Sequence, residues 1–245
     1  MDRLAYLAMS SAKQDRMMEA SLTNNLANAN TIGFKADRVS FKSLYLNGSA
    51  EQTRVYGQVG HNGVDAKEGS LETTGQPLDI ALSNNAWLSV TRSNGEKGFV
   101  HSASLRVNSS GVLETQNGDT VNGENGFSIT VPVGDQVSID KNGSVSVIQD
   151  GQPNVIDKLK LMSLPEQHLS KTASGLISVD KKHASEIIPV EGSPVIPGAL
   201  ERSNVSSVDT LVRMMELSRQ YDSDVNAITT SKKNDSNANN LLDVR

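Results

Sequence analysis

A chain of 245 residues with 36% hydrophobic but only 4% aromatic residues can bury a real core, yet it is lean for an enzyme-like globule. Its formal net charge of −5, with basic residues scattered rather than striped, argues against a nucleic-acid partner, and the lack of cysteine excludes disulfides, thiolate metal sites and thiol nucleophiles. No apolar run approaches a membrane span, so no membrane insertion is expected.

The opening Met1-Asp2-Arg3-Leu4-Ala5-Tyr6-Leu7 lacks the basic start, apolar block and small-residue cleavage site of a signal peptide. The expectation is a cytoplasmic protein or one exported by a route that reads no cleavable signal. Over residues 1–30, Leu4, Leu7, Ala8, Ser11, Asp15, Met18, Leu22, Leu26 and Ala29 fall on one face at helical spacing. That stripe is thin and interrupted, a poor core helix but a serviceable interface seam. Asn24, Asn25, Asn28 and Asn30 crowd the last turns. Such residues either pair across an interface and fix register or fray the helix end. Gly33 is placed to supply a left-handed stop, with Phe34 docking just beyond it.

Residues 34–68 read as an irregular arm, punctuated by Gly48, Gly57, Gly60 and Gly63. From about residue 69, turn signals recur at Asn94-Gly95, Ser110-Gly111, Asn117-Gly118, Asn142-Gly143 and Asp150-Gly151, with short apolar runs between them. The clearest hairpin runs from Gln136 to Ile148, with Val137 and Ile139 facing Val145 and Val147 across a two-residue Asn142-Gly143 turn. Residues 155–164 and 176–190 offer further strands, so the middle of the chain is expected to be an all-β domain. Pro189, Pro194 and Pro197 then stiffen the return towards the C-terminus.

Ser206-Ser207-Val208-Asp209 reads as a capping box. Leu211, Met214, Ser218, Tyr221, Val225 and Ile228 follow at alternating steps of three and four, which favours a left-handed wrap around a partner, and Met215 adds an adaptable contact. Beyond Ser231 the polar run Lys232-Lys233-Asn234-Asp235-Ser236-Asn237 offers little to bury, and the ends are expected to order only on contact with a partner.

Chemistry is sparse. His61, His101, His168 and His183 lie far apart without metal-ligand spacing, which points to surface or packing roles. Asp135 and Asp140 read as turn acids, and Lys181-Lys182-His183 as a solvated strand or loop. No nucleophile elbow, P-loop or dinucleotide fingerprint is present. No catalytic, cofactor or metal residue is assigned.

Asn24-Asn25-Leu26-Ala27-Asn28-Ala29-Asn30-Thr31-Ile32-Gly33-Phe34-Lys35 closely resembles the N-terminal signature of bacterial flagellar rod and hook proteins. Gly69-Ser70-Leu71-Glu72-Thr73-Thr74-Gly75-Gln76-Pro77-Leu78-Asp79-Ile80-Ala81-Leu82 is similar to the segment that enters that family's β domain. Gly198-Ala199-Leu200-Glu201-Arg202-Ser203-Asn204-Val205 is similar to its lead into the C-terminal helix. The departures are Trp87-Leu88, where an aromatic pair is common, the stretch His101-Ser102-Ala103-Ser104-Leu105, and the polar tail. Among family members the chain looks most like proximal-rod proteins, with distal-rod or hook-type proteins as the alternative. A cell-wall hydrolase and a secreted adhesin are rivals of other classes.

The resemblance implies a structural subunit that carries torque from motor to hook within the rod, crossing the periplasm. It also implies export through the flagellar type III apparatus and assembly with other rod proteins and with copies of itself. The implied fold is mixed α and β, largely β. A helix (1–33) and a return segment with helix (198–245) pair as a coiled-coil-like inner domain, joined by an arm (34–68) to a β domain (69–197). The implied subunit interface comprises Leu4, Leu7, Met18, Leu22, Asn24, Asn25, Leu26, Asn28, Gly33, Phe34, Lys35, Leu211, Met214, Met215, Ser218, Tyr221, Val225 and Ile228.

Overall fold

A computed structural model describes residues 2–45, 55–83, 85–132, 136–149 and 152–242. The chain is mixed α and β, largely β, with a long helix at each end. It divides into two compact units. One gathers Met1–Ala27, Asp37–Asn62 and Ser206–Arg245; the other gathers Asn28–Ala36 and Gly63–Val205.

In the first unit, helix α1 (Asp2–Ala27) packs along helix α2 (Ser207–Leu242). The pairing is antiparallel: Asp15 meets Asp224, while Met18 and Leu22 share a groove with Arg213 and Leu217. Helix α1 stops six residues before Gly33, because Asn28 and Thr31 turn the chain locally, through Thr31 N–H to Asn28 O (3.1 Å) and Thr31 Oγ1 to Asn28 Oδ1 (3.2 Å). Helix α2 begins as the capping motif predicts. Ser206 Oγ accepts from Asp209 N–H at 3.3 Å, and the Asp209 carboxylate pairs with Arg213 at 3.0 Å. It then runs on through the polar stretch after Ser231 to Leu242. That run contains no Gly or Pro, and once a helix is nucleated each added residue brings its own hydrogen bond.

The segment expected to be an irregular arm carries two paired strands, Asp37–Tyr45 and Val55–Val64. The sequence there is rich in residue types that favour strands, and pairing satisfies backbone polar groups that would otherwise be left to water. Gly48, expected to punctuate the arm, lies outside the described residues, as do Asp135 and Asp150-Gly151.

The second unit is the β domain. Among the described residues its largest sheet has eleven strands. The strand Ala86–Thr91 sits near its middle, pairing antiparallel with Lys97–Val100, Thr120–Val121 and Leu161–Ser163. The strand Asp79–Leu82 pairs with Ser102–Val107 on one side and Val195–Pro197 on the other. A three-stranded sheet, Gln136–Ile139, Ser144–Gln149 and Gln152–Lys158, lays Val137, Ile139, Val145 and Val147 into the same core as Ile80, Leu88, Val90, Leu113 and Val121. A second cluster gathers Trp87 with Val64, Leu164, Leu169 and Ile177. Trp87 Nε1 donates to Asn85 Oδ1 at 2.8 Å, so the indole is buried without an orphaned donor.

The predicted hairpin register holds, with Val137 opposite Val147 and Ile139 opposite Val145. Its turn differs. Gly143 N–H donates to Asp140 O at 3.0 Å and Gly143 has φ +83°, so the turn begins at Asp140 and Gly143 is its left-handed last residue. The Asp140 side chain fixes it by accepting from the N–H groups of Asn142 (2.9 Å) and Ser144 (2.8 Å). Asn108–Gly111 is built the same way, with Asn108 Oδ1 accepting from Ser110 and Val112. A type I turn closed by a glycine bulge gives the twist that a plain Asn-Gly pair was expected to supply. Strands do form in 155–164 and 176–190, whereas Lys181–Glu186 is a short 3-10 helix rather than a strand or loop.

Candidate functional site

Two features of the fold bear on function, one in each unit. In the helix unit, the residues of α2 turned inward are Thr210, Met214, Leu217, Tyr221, Asp224, Ile228 and Ser231, spaced by alternating fours and threes. Of the α2 residues expected along a stripe facing a partner and at the subunit interface, Met214, Tyr221 and Ile228 lie on this inner seam, whereas Leu211 (48% exposed), Ser218 and Val225 (40%) face outward. On α1 the matching seam is Ala8, Ser11, Asp15, Met18, Leu22 and Asn25, with Leu26 half-buried beside it. Leu7 is exposed, and the Leu4 side chain lies outside what is described.

Seam residues are therefore small or polar at many positions, while apolar residues are left outside. Val208 (72%), Leu211, Val212 (50%) and Met215 (60%) form an exposed apolar band on the first turns of α2. Tyr6, Leu7 and Met9 do the same near the start of α1. Exposed apolar residues grouped this way mark an interaction surface.

At the middle of the seam, Asp15 and Asp224 face each other. Burial, then the negative charge of Asp224 and a hydrogen bond between the two carboxyls, raises the Asp15 pKa above its ordinary value. Each also keeps one buried oxygen without a hydrogen-bond partner. One turn along, the Arg16 guanidinium lies 4.9 Å over the Tyr221 ring. At the end of α1, Asn25 holds the backbone of Asp37 with both ends of its amide, accepting from Asp37 N–H (2.7 Å) and donating to Asp37 O (3.0 Å). Asn24 donates to the Asp37 carboxylate at 2.6 Å. These asparagines are thus engaged within the chain, where they pin the first strand to the helix.

The second feature is a buried ionic junction in the β unit. Glu201 is 1% exposed and sits on the strand Ala199–Glu201, which pairs with Leu71–Thr73. Its Oε1 accepts from Lys35 Nζ at 2.8 Å and from Gly69 N–H at 2.5 Å, and its Oε2 contacts His101 Nδ1. Lys35, also 1% exposed, donates further to Lys67 O at 3.0 Å. Burial opposes ionisation of Glu201, but the hydrogen bonds and charge of His101, Lys35 and Gly69 outweigh it and hold the carboxyl down to about 2. Asn204 closes the rim, accepting from Ala36 N–H and donating to Asp65 O and Lys67 O.

The three sequence signatures therefore meet at one point: Lys35 from the first, Gly69 from the second, Glu201 and Asn204 from the third. Gly33 belongs here rather than to a helix cap. Its N–H donates to Glu201 O at 2.8 Å, its φ is +67°, and a Cβ there would lie 2.9 Å from Ser102 O. Phe34 is half-buried under Lys171 Nζ, 3.5 Å from its ring centroid. Lys35, expected at a subunit interface, is enclosed within its own subunit. His101, Glu201 and Asn204 carry roles that sequence reasoning missed. The signal available was a charged Glu201 at the end of the apolar pair Ala199-Leu200, inside a recognised motif.

His168 and His183, distant in sequence, are brought face to face with ring centroids 3.5 Å apart. Among the described residues, no helix is long and apolar enough to cross a membrane.

A β unit with its own core and a pair of terminal helices that leaves apolar residues on its exterior are features of a structural, assembling protein rather than of a catalyst. Family models agree: the flagellar hook protein FlgE/F/G D1 domain matches residues 81–147, and the flagellar basal body rod FlgEFG protein C-terminal region matches 196–241. The chain is 31% identical to the flagellar basal-body rod protein FlgF of Salmonella typhimurium and 30% identical to that of Escherichia coli, each alignment covering 99% of both proteins. It is 25% identical to the rod protein FlgG of Caulobacter vibrioides over 94% of this chain and 95% of that one. The chain belongs to the flagellar basal-body rod protein family, a family of structural proteins.

Proposed function

We propose that the chain is a structural subunit of the proximal part of the flagellar rod, transmitting torque from motor to hook through contacts with other rod proteins and with copies of itself. Full-length similarity to proteins named FlgF supports the rod assignment. The observation that carries the assembly reading is the apolar band Val208, Leu211, Val212 and Met215, left outside a helix pair that already has its own seam. Fully burying one such side chain contributes roughly 1.5–3 kcal/mol. A repeated contact of this kind between unlike faces builds a helical assembly rather than a closed ring.

In this reading the paired termini form the inner, coiled-coil-like layer of the rod. The alternating three-and-four spacing of both seams supports it. The ribbon within 34–68 acts as the arm that braces neighbours, and the β domain lies outside. The subunit travels unfolded through the flagellar type III export apparatus. A seam of small and polar residues supports this, because it keeps the helix pair marginal until neighbours cover the outer band. Leu211→Asp with Met215→Asp tests the proposal. The double variant is expected to be exported and to keep its β domain folded, yet fail to enter basal bodies or support swimming; normal motility would contradict the proposal.

A further inference from the structure

We propose that His168, His183 and Glu186 form a binding site for a divalent transition-metal ion of the zinc, nickel or copper type. His168 closes the short 3-10 turn Glu166–His168, while His183 and Glu186 lie three residues apart on the 3-10 helix Lys181–Glu186. One ligand atom from each lies within 4.8 Å of the other two. The rings are parallel to within 6°, and His183 Nδ1 contacts Glu186 Oε1 at 2.7 Å.

Two imidazoles and one carboxylate are the donor set of open sites for these ions, leaving remaining positions to water or to a donor from another molecule. Both histidines are half-exposed and Glu186 is exposed, so an ion has a path in. Drawing both ring nitrogens to about 2.0–2.1 Å from one ion requires the rings to swing out of their stack. Both rings are half-exposed, which leaves room for that change. Glu186 either ligates directly or orients His183 from behind through the existing Nδ1 contact. The bound ion bridges the two 3-10 segments and braces that edge of the β domain.

Calorimetric titration of zinc sulfate into the untagged full-length chain tests this. One ion per chain is expected. Affinity should fall at least tenfold in His168→Ala and in His183→Ala, and about 10- to 100-fold in Glu186→Gln. Copper(II) loaded on the unmutated protein should show coupling to two nitrogens by electron paramagnetic resonance, a readout that needs no variant to fold. No binding at millimolar zinc, a copper spectrum without two coupled nitrogens, or zinc affinity unchanged in a folded double-histidine variant (an adventitious ion only) would each overturn the proposal.

Discussion

Glu201 concentrates more of the fold's long-range bonding than any apolar residue beside it. Removing its charge leaves Lys35 buried and uncompensated, and breaking a buried pair on one side costs about 3–5 kcal/mol. Glu201→Gln is therefore expected to lower the stability of the β unit by that order, measured by urea unfolding followed through Trp87 fluorescence. The pH dependence has a defined sign. Because Glu201 is held down to about 2 in the folded chain, its contribution is complete above the ordinary glutamate value of about 4.3 and is lost as pH falls from there through about 2. The Gln variant should show a flatter loss of stability over that window. Asp15 has the opposite sign: its raised pKa stabilises the helix pair in acid, and that contribution is lost as pH rises through the raised value. Asp224→Asn removes the facing charge, so helix-pair melting by circular dichroism should rise by a few degrees at neutral pH and change little in acid.

At the scale of elements, the helices, the main hairpin and the β character of the middle were legible because each rests on local periodicity or turn chemistry. The face of α2 was not. Helical spacing runs a stripe through Leu211, Ser218 and Val225, whereas the fold leaves these outside and turns Thr210, Leu217, Asp224 and Ser231 inward. In a subunit built to be covered by neighbours, apolar residues do not all mark the inside of the monomer, so periodicity finds two faces and cannot rank them. The junction at Glu201 was illegible for a different reason: Lys35, Gly69 and His101 each lie 100 or more residues from Glu201 along the chain and meet its carboxylate only once the chain has folded. The inner and outer faces now make separable predictions. Leu22→Asp, which places a charge in the half-buried seam, should lower helix content in the isolated protein as well as abolish assembly. Leu211→Asp should spare helix content and affect assembly alone.

For the whole molecule, the two units differ in how their stability arises. The β unit has two buried apolar clusters and a hydrogen-bonded ionic junction, whereas the helix unit places two carboxyls in its seam and leaves apolar residues outside. Hydrogen exchange on the isolated chain should find protection concentrated in strands such as Ala86–Thr91 and Leu113–Thr115, with α1 and the far end of α2 exchanging first. The central claim is that the outward face of α2 is the surface that assembly covers. Electron cryomicroscopy of intact basal bodies tests it directly. The account predicts density in which Val208, Leu211, Val212 and Met215 are packed against neighbouring subunits while Met214, Leu217 and Tyr221 remain on α1 of the same chain. An assembled rod in which that band faces solvent would contradict it.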